Sequence, residues 1–222
     1  AAPMFATTKV EGTDNVYIFR YQGHQSMFVV TKAGVIATDP IGLRRPQAVT
    51  TYLDEIKKVS NGQGVKYLIY SHPHYDHIAG GKPFKDAGAI VIAHQRAKEH
   101  LARLKYPDAV VPDLGVGNRH VITLGGTRLE LHYVGRNHSD NSIVMRFPRE
   151  RVLFAVDFIP VNTVSFRDWP DAYLNDWIES IRRVEAMDFD ILAPGHGPLG
   201  NKGNATAFRQ YTEEMRGLDE GR

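Results

Sequence analysis

His72-Pro73-His74-Tyr75-Asp76-His77 decides how this chain is read, because it sets three imidazoles and a carboxylate within six residues. The run Val65–Tyr70 precedes it and the pair Gly80–Gly81 follows, so the stretch reads as a tight loop leaving a buried strand. Imidazole nitrogen and carboxylate oxygen are ligand atoms that borderline metals such as zinc prefer. In a purely structural loop, four such side chains would need more hydrogen-bond partners than a short segment supplies. The stretch predicts a metal site.

Further ligands lie downstream. His138 follows Val134-Gly135-Arg136-Asn137, and Asp157 ends the run Val152–Val156. His196 stands in Pro194-Gly195-His196-Gly197, after Ile191-Leu192-Ala193. Each falls at the C-terminal end of a predicted strand, where α/β proteins gather the loops that build sites. Any one alone would read as a turn former or a helix cap. Together, His72, His74, Asp76, His77, His138, Asp157 and His196 form a candidate ligand set.

With these residues in this order, the chain resembles the metallo-β-lactamase-fold hydrolase superfamily. The resemblance runs from the strands near Val16 to the Pro-Gly-His-Gly segment and the helix after it. It implies an α/β fold, the four-layer α/β/β/α sandwich. It also implies that His72, His74 and His138 hold one metal, that Asp76, His77 and His196 hold a second, and that Asp157 bridges them. The cofactors expected are two divalent metal ions, zinc in first place, with iron or manganese able to replace it. In this superfamily the true β-lactamases usually carry Cys or Ser where this chain has Asp157. The lactonase, thioesterase and glyoxalase II-like branches keep Asp there, so the resemblance points to the Asp-bridged dinuclear branch. The segment before His138 departs from the family's usual small residues and Pro, reading Gly135-Arg136-Asn137 instead.

Two close cations turn a shared water into a nucleophile near neutral pH, polarise a carbonyl and stabilise the oxyanion that forms. The expected reaction is therefore hydrolysis of a carboxylic ester, lactone or thioester, with Asp76 as the catalytic residue that orients the water. The alternative is β-lactam hydrolysis, as a main or a side activity. A second alternative is a non-catalytic metal-binding protein of the same fold; loss of ligands would mark it, and none is lost. Asp39, in Thr38-Asp39-Pro40, is expected to accept a hydrogen bond from a ligand imidazole, while Ser71 and Tyr75 read as flanking scaffold. Phe158, Phe166 and Trp169 are candidates for an apolar wall against the substrate. His24, His94, His100, His120 and His132 read as structural or exposed. Among these, His132 shares a strand face with Arg128 and Glu130, and His94 is a lesser candidate at the site edge.

Composition agrees. The 222 residues, 42% hydrophobic, read as one domain over 1–222 with a substantial core. A net charge of +2, from 27 basic and 25 acidic residues, leaves no electrostatic footprint for nucleic acid. No apolar run is long enough to span a bilayer. The expected partner is a small-molecule substrate, with neither nucleic acid nor membrane. Zero cysteines exclude disulfides and thiolate ligands. The start Ala1-Ala2-Pro3 is what cleavage at an Ala-x-Ala site leaves, giving an expectation of a periplasmic or secreted protein, otherwise a cytoplasmic one.

Strands are predicted at Val16–Tyr21, Ser26–Thr31, Val35–Thr38, Val65–Tyr70 and Ala89–Ala93. A second set is predicted at Val121–Leu124, Arg128–Val134, Ser142–Phe147 and Arg151–Val156. Helices are expected from Pro46, over Gln95–Leu104, through Leu174 to Ile181, and around Phe208 to Met215. Residues 105–118 read as a loop.

Overall fold

The structure is a computed structural model and describes residues 3–165 and 171–219. Alternating burial builds it. In β3 (His24–Thr31), Met27 and Val29 face one apolar cluster while Phe28 faces another. In β11 (Val152–Val156), Val152, Phe154 and Val156 point one way, and Leu153 and Ala155 the other. Strands buried on both faces need a covering layer on each side.

One sheet runs β1 (Phe5–Lys9), β2 (Val16–Tyr21), β3, β4 (Gly34–Thr38), β5 (Val65–Ile69), β6 (Ile90–His94) and β7 (Leu114–Val116), in spatial order. It is antiparallel from β1 to β4 and parallel from β4 to β7. The other sheet has the order β12 (Ile191–Pro194), β11, β10 (Val144–Phe147), β9 (Thr127–His132), β8 (Arg119–Leu124). Only its β11–β12 pair is parallel. Ile36, Ile69 and Ile92 from the first sheet meet Leu129, Met145, Phe147 and Phe154 from the second in the central core. Outside the first sheet lie α1 (Pro46–Val59), α3 (Lys82–Asp86) and α4 (Gln95–Leu104). These contribute Tyr52, Phe84 and Leu101 to the core on that face. Outside the second lie α5 (Leu174–Glu185) and α6 (Lys202–Asp219), with Trp177, Ile181 and Phe208 inward. The four-layer α/β/β/α order expected from the sequence is the one observed.

Four elements escape the sequence pattern, one of them the five-residue α3. β1 is an edge strand with no buried face, and α2 (Tyr75–Ile78) is a single turn inside the histidine-rich loop. Residues 105–118, read as loop, contain β7, whose three residues pair with β6 and close the parallel edge. A three-residue strand with a central glycine has no periodicity to detect.

The outer face of β9 also differs from expectation. Glu130 is buried, and His132 is partly covered and bonded to it at 3.1 Å. Arg128, Arg119 and Arg146 close around the same carboxylate at 2.9–3.2 Å. Burial pushes the Glu130 carboxyl up, but hydrogen bonds from Arg128, His132 and Arg146 outweigh it and hold it at about 2, from 4.5. A depressed folded-state pKa stabilises the fold above the unfolded value, and that contribution is lost as pH falls through the folded value. Glu130→Gln should therefore lose about 2 kcal/mol at pH 7, screening by the half-exposed arginines included. Urea unfolding of both proteins should show the difference closing between pH 4.5 and about 2.

Candidate metal centre

All seven residues singled out in the sequence meet at one end of the two sheets. The loop after β5 supplies His72, His74, Asp76 and His77, the last two from α2. His138 precedes β10, Asp157 follows β11, and His196 follows β12. They form two groups, His72, His74, His138 and Asp157 in one, and Asp76, His77, Asp157 and His196 in the other. Within each, the potential ligand atoms lie within 4.8 Å of one another. Asp157 alone belongs to both. Its Oδ2 stands 3.1 Å from His77 Nε2, 3.7 Å from His138 Nε2 and 3.8 Å from His72 Nε2, and its Oδ1 is 3.4 Å from His196 Nε2.

The imidazoles are held from behind. His72 Nδ1 lies 2.9 Å from Ser71 Oγ, whose hydroxyl donates to Asp39 Oδ2 at 2.6 Å. His72 Nδ1–H therefore donates to Ser71, and the unprotonated Nε2 faces the cluster. That Nε2 is buried without a hydrogen-bond partner. His74 Nε2 is 2.9 Å from Asp171, leaving Nδ1 toward His138 Nε2 at 2.9 Å. His196 Nδ1 donates to the Gly23 carbonyl at 2.7 Å, and His77 Nδ1 is 3.6 Å from Asp39 Oδ2. Acceptors behind the ring, with the second nitrogen turned inward, are the arrangement of metal-ligating histidines. The donor set fits divalent cations.

Electrostatics agree with that fit. Burial, and then the neighbouring His74 and His77, push His72 well below the usual histidine range. Burial likewise lowers His138, to about 4. Both rings are neutral near pH 7, with lone pairs to donate. His77 goes the other way: burial lowers it, but Asp157, Asp39 and Asp76 outweigh burial and hold it well above the usual range. Asp157 is fully buried, which raises its pKa, yet His77, His72 and His196 keep it well below the carboxylate range. Burial also raises Asp76, and the hydrogen bond from His24 with the charge of His77 hold it ionised. The cluster is built around negative charge that draws a cation.

Local backbone makes the convergence feasible. Val156, immediately before Asp157, has φ of 42°, and Ile41, whose N–H bonds the His77 carbonyl, has φ of 53°. β-Branched residues avoid this region, at about 1–3 kcal/mol each, and such strain gathers at functional sites. A Cβ on Gly195 would sit 2.9 Å from both Asp157 Oδ1 and His77 Cε1, so only glycine lets the His196 loop pass this close. The departure before His138 also has a structural reason. Arg136 pairs with Asp176 at 2.6 Å and lies over Tyr173, while buried Asn137 bonds back to the Gly135 carbonyl. Arg136 ties the His138 loop to α5, and the Asn137 side chain braces the loop itself.

A family model described as Metallo-beta-lactamase superfamily matches residues 43–196. The chain belongs to the metallo-β-lactamase superfamily. Members of the superfamily are metal-dependent hydrolases that hold divalent cations. The metallo-beta-lactamase from Pontibacter korlensis superposes on this superfamily member with a TM-score of 0.83. It is 22% identical, over 94% of this chain and 99% of that one, a likeness of fold. In sequence, a metallo-beta-lactamase type 2 of Bacillus cereus is 28% identical over 85% of this chain and 76% of its own length. The 2,4-dinitroanisole O-demethylase subunit alpha of a Nocardioides strain is 27% identical over 87% of this chain. The matched region spans 58% of the length of that relative. Among the described residues, no helix of this superfamily member is long and apolar enough to cross a membrane.

Two residues at the site have no signature in the sequence. His24, read as structural or exposed, bonds Asp76 Oδ2 through Nε2 at 3.0 Å and lies edge-on to His196 with 4.3 Å between centroids. Asp171, which backs His74, lies just before α5. A lone His after a Gln-Gly turn and a lone Asp before a helix both read as turn or cap residues. Ser71 proves to be part of the support behind His72, whereas Tyr75 bonds Asp108 and packs on Tyr106, as scaffold. His94 caps α4 and stacks on Tyr133. Phe158 is core, its carbonyl accepting the Trp177 indole N–H, and forms no wall. Phe166 and Trp169 lie outside the described residues. Asp171→Ala should weaken metal binding by about 10–100-fold, because it removes the acceptor that orients His74. Competition with a chromophoric chelator measures this directly; unchanged affinity would show that the Asp171 contact has no orienting role.

Proposed function

We propose that the protein is a dinuclear metal-dependent hydrolase of carboxylic esters, lactones or thioesters, with zinc as the first candidate metal and iron or manganese as substitutes. In this reading His72, His74 and His138 hold one cation, Asp76, His77 and His196 hold the other, and Asp157 bridges. The observation that carries it is the position of Asp157, whose Oδ2 faces His77 of one group and His72 and His138 of the other, while Oδ1 faces His196. Two divalent cations at such a site supply a nucleophile from water at neutral pH and an electrophilic pull on a carbonyl.

The residues of the chain do the positioning. His24 holds Asp76 by Oδ2, and Asp76 would orient the attacking water. The water oxygen bonds to the carbonyl carbon, the bond from that carbon to oxygen or sulfur breaks, and the proton ends on the leaving group. An alkoxide or thiolate leaves with less help than an amide nitrogen, which must be protonated first. A bridging carboxylate also keeps the donor set all nitrogen and oxygen. Both points favour esters, lactones and thioesters.

A second reading, β-lactam hydrolysis, is supported by the Bacillus cereus relative. The test is a panel with quantified metal, with and without chelator: a homoserine lactone, an aryl ester, a thioester, a cephalosporin and a penicillin. The O-demethylase relative adds 2,4-dinitroanisole to it. Expected is chelator-sensitive turnover of ester, lactone or thioester at a kcat/KM at least about 10-fold above either lactam. Faster lactam turnover would overturn the inference from Asp157.

A further inference from the structure

Two cavities differ in what lines them. The larger, about 480 Å³, lies by Arg96, Arg136 and Arg183, is balanced by Asp140, Asp176 and Glu179, and touches none of the seven residues. The second, about 320 Å³, opens directly on the cluster: His138, Asp157 and His196 form part of its wall. These three come from both groups, so a molecule held here lies against both candidate cation positions. The remainder of the wall is apolar or neutral, with Val161, Val164 and Trp177 giving the apolar side. Trp177 is fixed in place, because its indole N–H bonds the Phe158 carbonyl and its ring packs on Phe208.

Charge separates this cavity from the larger one. Among the described residues its wall has no lysine or arginine. The guanidinium near Asp76, that of Arg45, is not on this wall and bonds the carbonyls of Ile41 and Asp76. Among the described residues, no ammonium or guanidinium on this wall would replace the hydration that a carboxylate seated against Val161, Val164 and Trp177 gives up. An alkyl chain or ring in the same place gains from leaving water. The volume is at the low end of the usual range for small-molecule sites, about 300–1,000 Å³, which suits one chain or one ring.

We infer that this cavity recognises an uncharged, apolar group of the substrate, a short aliphatic chain or a single ring, and selects against substrates that carry a carboxylate in that group. The inference rests on the hydrolase reading above and adds the substrate class to it. It also sets Val164, 66% exposed at the rim, as a specificity residue.

The experiment compares 4-nitrophenyl hexanoate with the 4-nitrophenyl monoester of adipic acid on the metal-loaded protein. The acyl chains are equally long and the leaving group is the same. The hexanoate should have a kcat/KM at least about 50-fold higher, after correction for spontaneous hydrolysis. Val164→Lys should narrow that ratio about tenfold by placing an ammonium at the rim. A readout independent of turnover uses chelated protein, in which no metal can capture a carboxylate. There, 1-hexanol should change the tryptophan fluorescence saturably and adipate should not, the response being lost in Trp177→Phe. Equal or better use of the adipate ester, a ratio unmoved by Val164→Lys, or equal binding of adipate would each overturn the inference. If neither these esters nor the lactone and thioester of the panel are hydrolysed while hexanol still binds and adipate does not, the hydrolase reading fails and the apolar cavity stands.

Discussion

Asp157→Ala should reduce kcat/KM by on the order of 10³-fold or more, equivalent to about 4 kcal/mol of transition-state stabilisation. Bound metal should fall from two ions per chain to one or fewer. The size follows from position, since Asp157 alone belongs to both groups of candidate ligands. In the dinuclear reading, its loss would remove a donor from each cation and the negative charge between them. It also takes one of the two carboxylates from the Asp76 group, so that group attracts a cation less strongly. The fold should persist, because the surrounding histidines can remain neutral once the carboxylate is gone, and the three apolar clusters are untouched. Metal analysis by mass spectrometry alongside initial rates on the best ester checks this. A variant that keeps two ions and stays within tenfold of wild type would refute the bridging role.

The difference between Asp157 and His24 shows what a sequence displays and what it hides. Asp157 was legible because it ends an apolar strand, and strand ends in α/β proteins converge on one edge. The same logic found His138 and His196, and the spacing from His72 to His77 found the rest. His24 reaches the site from a hairpin turn, and its importance depends on where β2 and β3 end relative to α2. That relation is set by sheet register and packing, which no local pattern encodes. Asp171 is hidden for the same reason. The strands were legible where burial alternates or is continuous, and illegible at β1 and β7, where an edge position removes the hydrophobic signal. Glu130 is the instructive miss. Its strand alternation correctly placed it away from the central core, but three arginines and His132 closed over it. Charge complementarity across three neighbouring strands buried a residue that periodicity assigns to solvent.

Removing the metal should lower thermal stability as well as activity. The cluster gathers five imidazoles and two carboxylates at one sheet end, and buried His72 Nε2 has no hydrogen-bond partner from the protein. A cation that binds this folded arrangement and not the unfolded chain stabilises it by about 4 kcal/mol when its free concentration is 1,000 times Kd. For a chain of 222 residues, each kcal/mol moves Tm by about 2–4 °C, so the expected shift is about 8–16 °C. Calorimetry of chelated protein should show a single transition lowered by that amount, returning when zinc is added back at two equivalents. Glu130→Gln should leave the increment unchanged, since its network lies on β8, β9 and β10, outside both groups. Asp157→Ala should remove most of it, which separates metal-linked stability from the stability of the fold itself. An equal Tm with and without chelator, at full occupancy before chelation, would mean that the seven side chains do not hold the ion, and the proposed chemistry would fall with it.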